Sequence, residues 1–162
     1  MPMTTGKSFF SLLSLALFFA APAYAQECAV EDAVYEMADE AGGQLVFERR
    51  EHSTAYSDLD IAVTAGDVPQ RFGFRLTASN GYGNFYAIPD DESVSEDGLI
   101  VFFFQRRGDR LVPSEHDMPA SGEPAPDAVF MPGLGSALWY GTNGSADPVA
   151  IPTEIWYRAG CR

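Results

Sequence analysis

Cysteine occurs only twice in this 162-residue chain, and the two positions lie almost as far apart as they can: Cys28 near the front and Cys161 next to last. A metal site or a redox pair wants its cysteines close in sequence, typically about two residues apart. In an oxidising compartment two cysteines at opposite ends pair instead as a structural disulfide. Such a bond brings both ends of the folded chain to one place, which limits the architectures open to everything between them.

The first residues supply the compartment. In MPMTTGKSFFSLLSLALFFAAPAYAQE, one cation, Lys7, precedes a largely apolar run from Phe9 to Ala21, and Ala23-Tyr24-Ala25 follows as a small-x-small signal. That order is the order of a secretory signal peptide. The run is short of the about 20 residues a membrane span needs. Residues 1–25 are therefore read as a signal peptide cleaved after Ala25, with a periplasmic or extracellular destination and no membrane anchor after cleavage. Ala25, Gln26 and Glu27 before Cys28 do not form a lipoprotein signal. Residues 26–162 are then one domain, large enough for a core of its own.

Cleavage removes Lys7, the single lysine, so all nine remaining cations are arginines and the formal charge moves from −13 to −14. Nucleic acid and anionic lipid are repelled by such a chain. A cationic protein, a metal ion or a neutral ligand is the more compatible partner.

Along the domain, Val30 and the EDAVYEMADEAGG that follows it place Val30, Ala33, Val34, Met37, Ala38 and Ala41 at steps of three and four. Acids crowd its start and Gly42-Gly43 ends it, so the pattern predicts an amphipathic helix. The period then changes to two. QLVFERRE, DLDIAVTAG and QRFGFRLTA predict strands with one wet face. Asn80-Gly81 in TASNGYGNFYAIP suits a two-residue type I′ hairpin, in which Leu76 would face Phe85 and Arg75 would face Tyr86. LIVFFFQ, residues 99–105, is the most apolar run after the signal and predicts a strand covered on both faces. Gly108-Asp109 suits a type II′ turn into Arg110-Leu111-Val112. Residues 113–127, with four prolines, predict a long extended connection. AVFMP, SALWYG and EIWYRAG predict three last strands. The fold class expected is α+β: an N-terminal helix on a mainly antiparallel, meandering sheet, with its ends tied by Cys28–Cys161.

Motifs for chemistry are few. No glycine loop precedes a lysine or a helix in the nucleotide-binding pattern. DDESVSED, residues 90–97, lacks the spacing of a calcium loop. Ser136 lacks the second glycine of a nucleophile elbow. His52 and His116 stand in no metal-ligand spacing. Arg107-Gly108-Asp109 and Asn143-Gly144-Ser145 spell short motifs that nothing else in the chain supports. The expectation is no metal, no cofactor and no catalysis. Aromatic and arginine residues carry the binding potential. Arg75, Ser79, Tyr82 and Tyr86, around the predicted hairpin, are the candidate binding residues.

The stretch ASNGYGNFY resembles the Ser-Gly-x-x-Tyr loop of the bacterial periplasmic inhibitors of c-type lysozyme, small secreted β-rich proteins whose loop enters the enzyme. The resemblance implies that Ser79, with Tyr82 or Tyr86, faces a cationic lytic enzyme, and the acidic charge suits that partner. It covers under a tenth of the chain, with Asn80 interposed between Ser79 and Gly81. The function expected first is non-catalytic binding of a protein or small ligand in the periplasm or outside the cell. Inhibition of a cationic lytic enzyme comes second, and a hydrolase working through two surface carboxylates third.

Overall fold

The computed structural model describes residues 27–38, 43–65, 70–79, 83–95, 97–114 and 118–162. The predicted signal peptide and its cleavage site lie outside the described residues. Among the described residues, nine strands and one helix follow a short 3-10 turn at Val30–Asp32. The strands are β1 (Ala33–Met37), β2 (Gly43–Arg49), β3 (Leu59–Ala65), β4 (Arg71–Ala78), β5 (Phe85–Pro89), β6 (Leu99–Arg107), β7 (Arg110–Pro113), β8 (Ala128–Phe130) and β9 (Ile155–Cys161). The helix, α1, spans Leu134–Thr142 between β8 and β9.

All strand pairings are antiparallel. They run β5-β4-β3-β2-β1-β9-β8-β6, and β6 then pairs back to β5 through Phe85–Val101, Tyr86–Ile100 and Ala87–Leu99. The sheet is thus an eight-stranded closed barrel, with β7 added to β6 as a hairpin arm. This corrects the expected α+β architecture. Closure pairs each of the eight barrel strands on both sides, leaving only β7 with an unpaired edge.

The correction begins at the segment expected to be the N-terminal helix. Its residues up to Met37 form the 3-10 turn and then β1, where Ala33, Tyr35 and Met37 are buried while Val34 and Glu36 face outward; residues 39–42 of the segment lie outside the described residues. A period-two pattern lay inside the period-3.6 one, and β1 pairs with both β2 and β9. A helix here would leave the facing edges of those two strands without hydrogen-bond partners, a cost that local helix propensity does not match. SALWYG, expected as a strand, lies in α1 instead. Leu134, Ala137, Leu138 and Thr142 are buried at helical spacing, and Thr142 Oγ1 donates to the Leu138 carbonyl while accepting the Val149 amide.

Side chains alternating along the strands fill the barrel. One inward row is Phe103, Val129, Trp156 and Met37, and another is Tyr35, Leu45, Val63 and Phe72. The buried Tyr35 hydroxyl donates to the Pro126 carbonyl at 3.0 Å. Its phenol is pushed up, well above the ordinary tyrosine value, chiefly by burial.

Cys28 and Cys161 form the disulfide, with their Cα atoms 5.8 Å apart. Around it the 3-10 turn and the proline-rich connection close one end of the barrel. The Val30 amide donates to Glu123 and the Ala125 amide to Cys28, both at 2.9 Å. Glu31 ties the connection down: its carboxylate accepts the Gly122 amide and the Ser121 hydroxyl at 2.8 Å each, and faces Arg49 at 2.6 Å. These contacts, the Gly122 amide first, lower its pKa to about 2. At the other end lies α1. A Cβ on Gly141 would come within 2.7 Å of the Val94 Cα in the β5–β6 connection, so only glycine allows this approach.

Candidate functional site

The hairpin expected to carry the binding residues exists as β4–β5, in a different register. Leu76 faces Ala87, Arg75 faces Ile88 and Thr77 faces Tyr86, two residues along from the expected pairing. A shift of two keeps every side chain on its own face, so polarity alone could not choose between the registers. The loop is longer than two residues, with the Ser79 amide donating to the Asn84 carbonyl at 2.9 Å. Asn80, Gly81 and Tyr82 lie outside the described residues. Arg75 is exposed on the outer face, 3.8 Å from Asp90 Oδ1. Tyr86 is half-buried between Thr77 and Ile100. Ser79 is half-buried, and its hydroxyl has no hydrogen-bond partner. Arg75 and Tyr86 therefore share the outer wall without facing each other directly.

Around the wall from Tyr86 stands a group that sequence reasoning missed. LIVFFFQ is not covered on both faces. Val101 and Phe103 point into the core, while Ile100 is 40% and Phe102 42% exposed. Phe102 pairs with Phe130 across β6–β8, their rings stacked at 6.4 Å, and Phe130 pairs with Ile155 of β9. Tyr157, 36% exposed, stands one row further along β9, beyond the Ala128 that separates it from Phe104. Tyr86, Ile100, Phe102, Phe130 and Tyr157 thus form an apolar, largely aromatic stretch of outer wall over four neighbouring strands. The unbroken apolar run hid it, because a strand with two apolar faces reads as buried twice. The pairs Trp139-Tyr140 and Trp156-Tyr157 were the available clue: Trp156 points in and Tyr157 out, as alternation on a strand requires. Trp139 and Tyr140 lie on α1, and both are exposed.

A second feature is a cleft of about 410 Å³ at the disulfide end, between the β6–β7 hairpin and the proline-rich connection. Phe103 and Val112 contribute one side and Pro119, Pro124 and Pro126 the other, with Gln105 and Arg107 toward the tip of the hairpin. The hairpin turns tightly at Gly108-Asp109. Gly108 has φ +64° and Arg107 pairs with Arg110, the geometry expected of a type II′ turn. Ser114, where β7 ends, also touches the cleft, and its hydroxyl is buried without a hydrogen-bond partner.

Four acids make structural contacts. Glu31 and Asp58 hold Ser121 and Gly122 of the connection, Asp127 holds Arg158 and the Arg106 amide, and Asp60 holds Arg50. Among the described residues, no three His, Cys, Asp or Glu side chains gather as metal ligands would. His52 is exposed in the β2–β3 connection, and His116 lies outside the described residues. No helix of the described residues is long and apolar enough to cross a membrane. Comparison with protein-family models, with curated proteins and with solved structures returns no match.

Proposed function

We propose that this is a secreted or periplasmic, non-catalytic binding protein, released by cleavage after Ala25, which docks a protein partner on the outer wall of β5, β6, β8 and β9. The observation that carries this reading is the exposed ring stack of Phe102 on Phe130, continued by Ile100 and Tyr157. A barrel whose core is already filled by Trp156, Phe47, Phe103 and their neighbours has no packing need for these groups outside. Contiguous apolar surface of this kind marks interaction sites. The formal charge of −13, or −14 after cleavage, opposes docking on anionic lipid and favours a neutral or cationic protein. The disulfide is compatible with an oxidising compartment.

A cationic lytic enzyme is the partner of the second reading, favoured by the same charge. It would engage the β4–β5 loop beside Ser79 and Tyr86 rather than the aromatic wall.

The test is a paired capture. The mature, oxidised protein and its Phe102→Asp variant are immobilised and challenged with periplasmic extract and with a panel of lysozymes, and hydrogen exchange is mapped on any complex. A stoichiometric partner that protects β6 and β8 and is lost in Phe102→Asp supports the reading. A lysozyme retained equally by both forms, with protection at the β4–β5 loop, replaces it with the second. Wall-dependent self-association in sedimentation, or no partner in any arm, overturns it.

A further inference from the structure

Nine arginines follow Ala25, and six are committed within the fold. Arg49, Arg50, Arg71, Arg75 and Arg158 face Glu31, Asp60, Glu48, Asp90 and Asp127. Arg162 donates to the carbonyls of Glu31 and Phe47. The remaining three, Arg106, Arg107 and Arg110, face no carboxylate in any ion pair of the described residues, and all three stand on the β6–β7 hairpin. In a chain with more than twice as many acids as cations, this segregation is specific to one place.

Two of them also oppose each other. Arg107 and Arg110 are direct cross-strand partners flanking the turn, so their side chains leave the hairpin on the same face. Like charges placed this way destabilise a sheet. An anion held between them would turn that repulsion into charge-assisted hydrogen bonding. Arg107 lines the cleft, and Gln105, Val112 and Phe103 continue from it along the same face toward the barrel. At about 410 Å³ the cleft is in the size range of small-molecule sites.

We propose that this cleft binds a small organic anion with an apolar body, an aliphatic or aromatic monocarboxylate. Its head lies between Arg107 and Arg110, and its body lies over Phe103, Val112 and the facing prolines. Asp109 sits in the turn, and Glu123 lines the far wall with its Oε2 accepting the Ala120 amide at 3.1 Å. Phosphate has no apolar body and gains nothing from Phe103, Val112 and the facing prolines. The site is separate from the aromatic wall and stands or falls independently of it.

Octanoate, 1-octanol and inorganic phosphate are titrated in turn into the mature, oxidised protein, followed by calorimetry and by amide chemical shifts. Octanoate should bind at least about tenfold more tightly than either control, with shifts centred on Gln105, Arg107 and Val112. Arg107→Gln and Arg110→Gln should each weaken it by about tenfold or more. Both substitutions relieve a like-charge pair, and circular dichroism confirms that the fold is retained. Phe102→Asp should leave octanoate binding unchanged. Octanol binding as tightly as octanoate, phosphate binding as tightly, or octanoate lost in Phe102→Asp and kept in the arginine variants would each overturn the proposal.

Discussion

Opening the Cys28–Cys161 bond should act almost wholly on the unfolded chain. The bond closes a loop of 133 residues. In the chain-entropy relation, a loop of this length lowers the entropy of the unfolded state by about 17 cal/mol/K, or about 5 kcal/mol at 25 °C. The folded ends do not depend on the bond to stay together. Ala33 pairs with Cys161 in the β1–β9 ladder, the Arg162 amide donates to the Asp32 carbonyl at 2.6 Å, and the Arg162 side chain reaches the carbonyls of Glu31 and Phe47. Reduced protein, or a Cys28→Ser/Cys161→Ser variant, should therefore keep its native circular dichroism in buffer and unfold far more easily. With a urea m-value of about 1.5 kcal/mol/M, the midpoint should fall by about 3 M. A fall below about 0.5 M at constant m would refute the reasoning, because the unfolded chain would then already hold its ends together.

Further outcomes follow from four single side chains. Tyr35→Phe removes the only donor shown to the Pro126 carbonyl and should cost about 1–2 kcal/mol in urea unfolding. Burial raises the Tyr35 phenol, so the folded state holds its proton longer than the unfolded one; stability is present below pH of about 10 and lost above it, and Tyr35→Phe should flatten that alkaline limb in melting-temperature profiles. Glu31 is lowered to about 2 by the Gly122 amide and its neighbours, so its contribution is present above its ordinary value of 4.5 and lost as pH falls toward 2; Glu31→Gln should flatten the acid limb over that window. Ser114→Ala deletes a buried hydroxyl without a partner and should be neutral or stabilise by up to about 1 kcal/mol, whereas Ser57→Ala breaks the bonds of its hydroxyl to Leu59 and should cost about 1–2 kcal/mol in the same unfolding assay.

Much of the strand content was legible because half-buried antiparallel strands write their geometry into the sequence. Leu59, Ile61 and Val63, and Phe72, Phe74 and Leu76, alternate with exposed or half-buried neighbours and take their predicted faces, apart from the small Ala62, which is buried as well. The type II′ turn at Gly108-Asp109 was legible for the same kind of local reason: glycine alone takes positive φ there at no steric cost. The candidate binding surface was less legible. Arg75 and Tyr86 do lie outward, but the larger aromatic wall depends on which strands flank β6. That Arg106, Arg107 and Arg110 face no carboxylate among the described residues became visible only once the partners of the other six were known.

Local sequence pattern by itself determined the period and the parity of the faces in strands such as β3 and β4 and, through two solitary cysteines, the joining of the ends. Tertiary structure decided what local pattern leaves degenerate. Residues 33–37 satisfy both a helical and a strand period, and the unfilled edges of β2 and β9 select the strand. SALWYG, residues 136–141, reads as a strand, and burial of Leu134, Ala137 and Leu138 at the end of the barrel selects the helix. A β4–β5 register shifted by two preserves every face, so only the loop and the barrel closure choose between them. In each case the deciding energy comes from hydrogen bonds and contacts between residues distant in sequence, which no window along the chain contains.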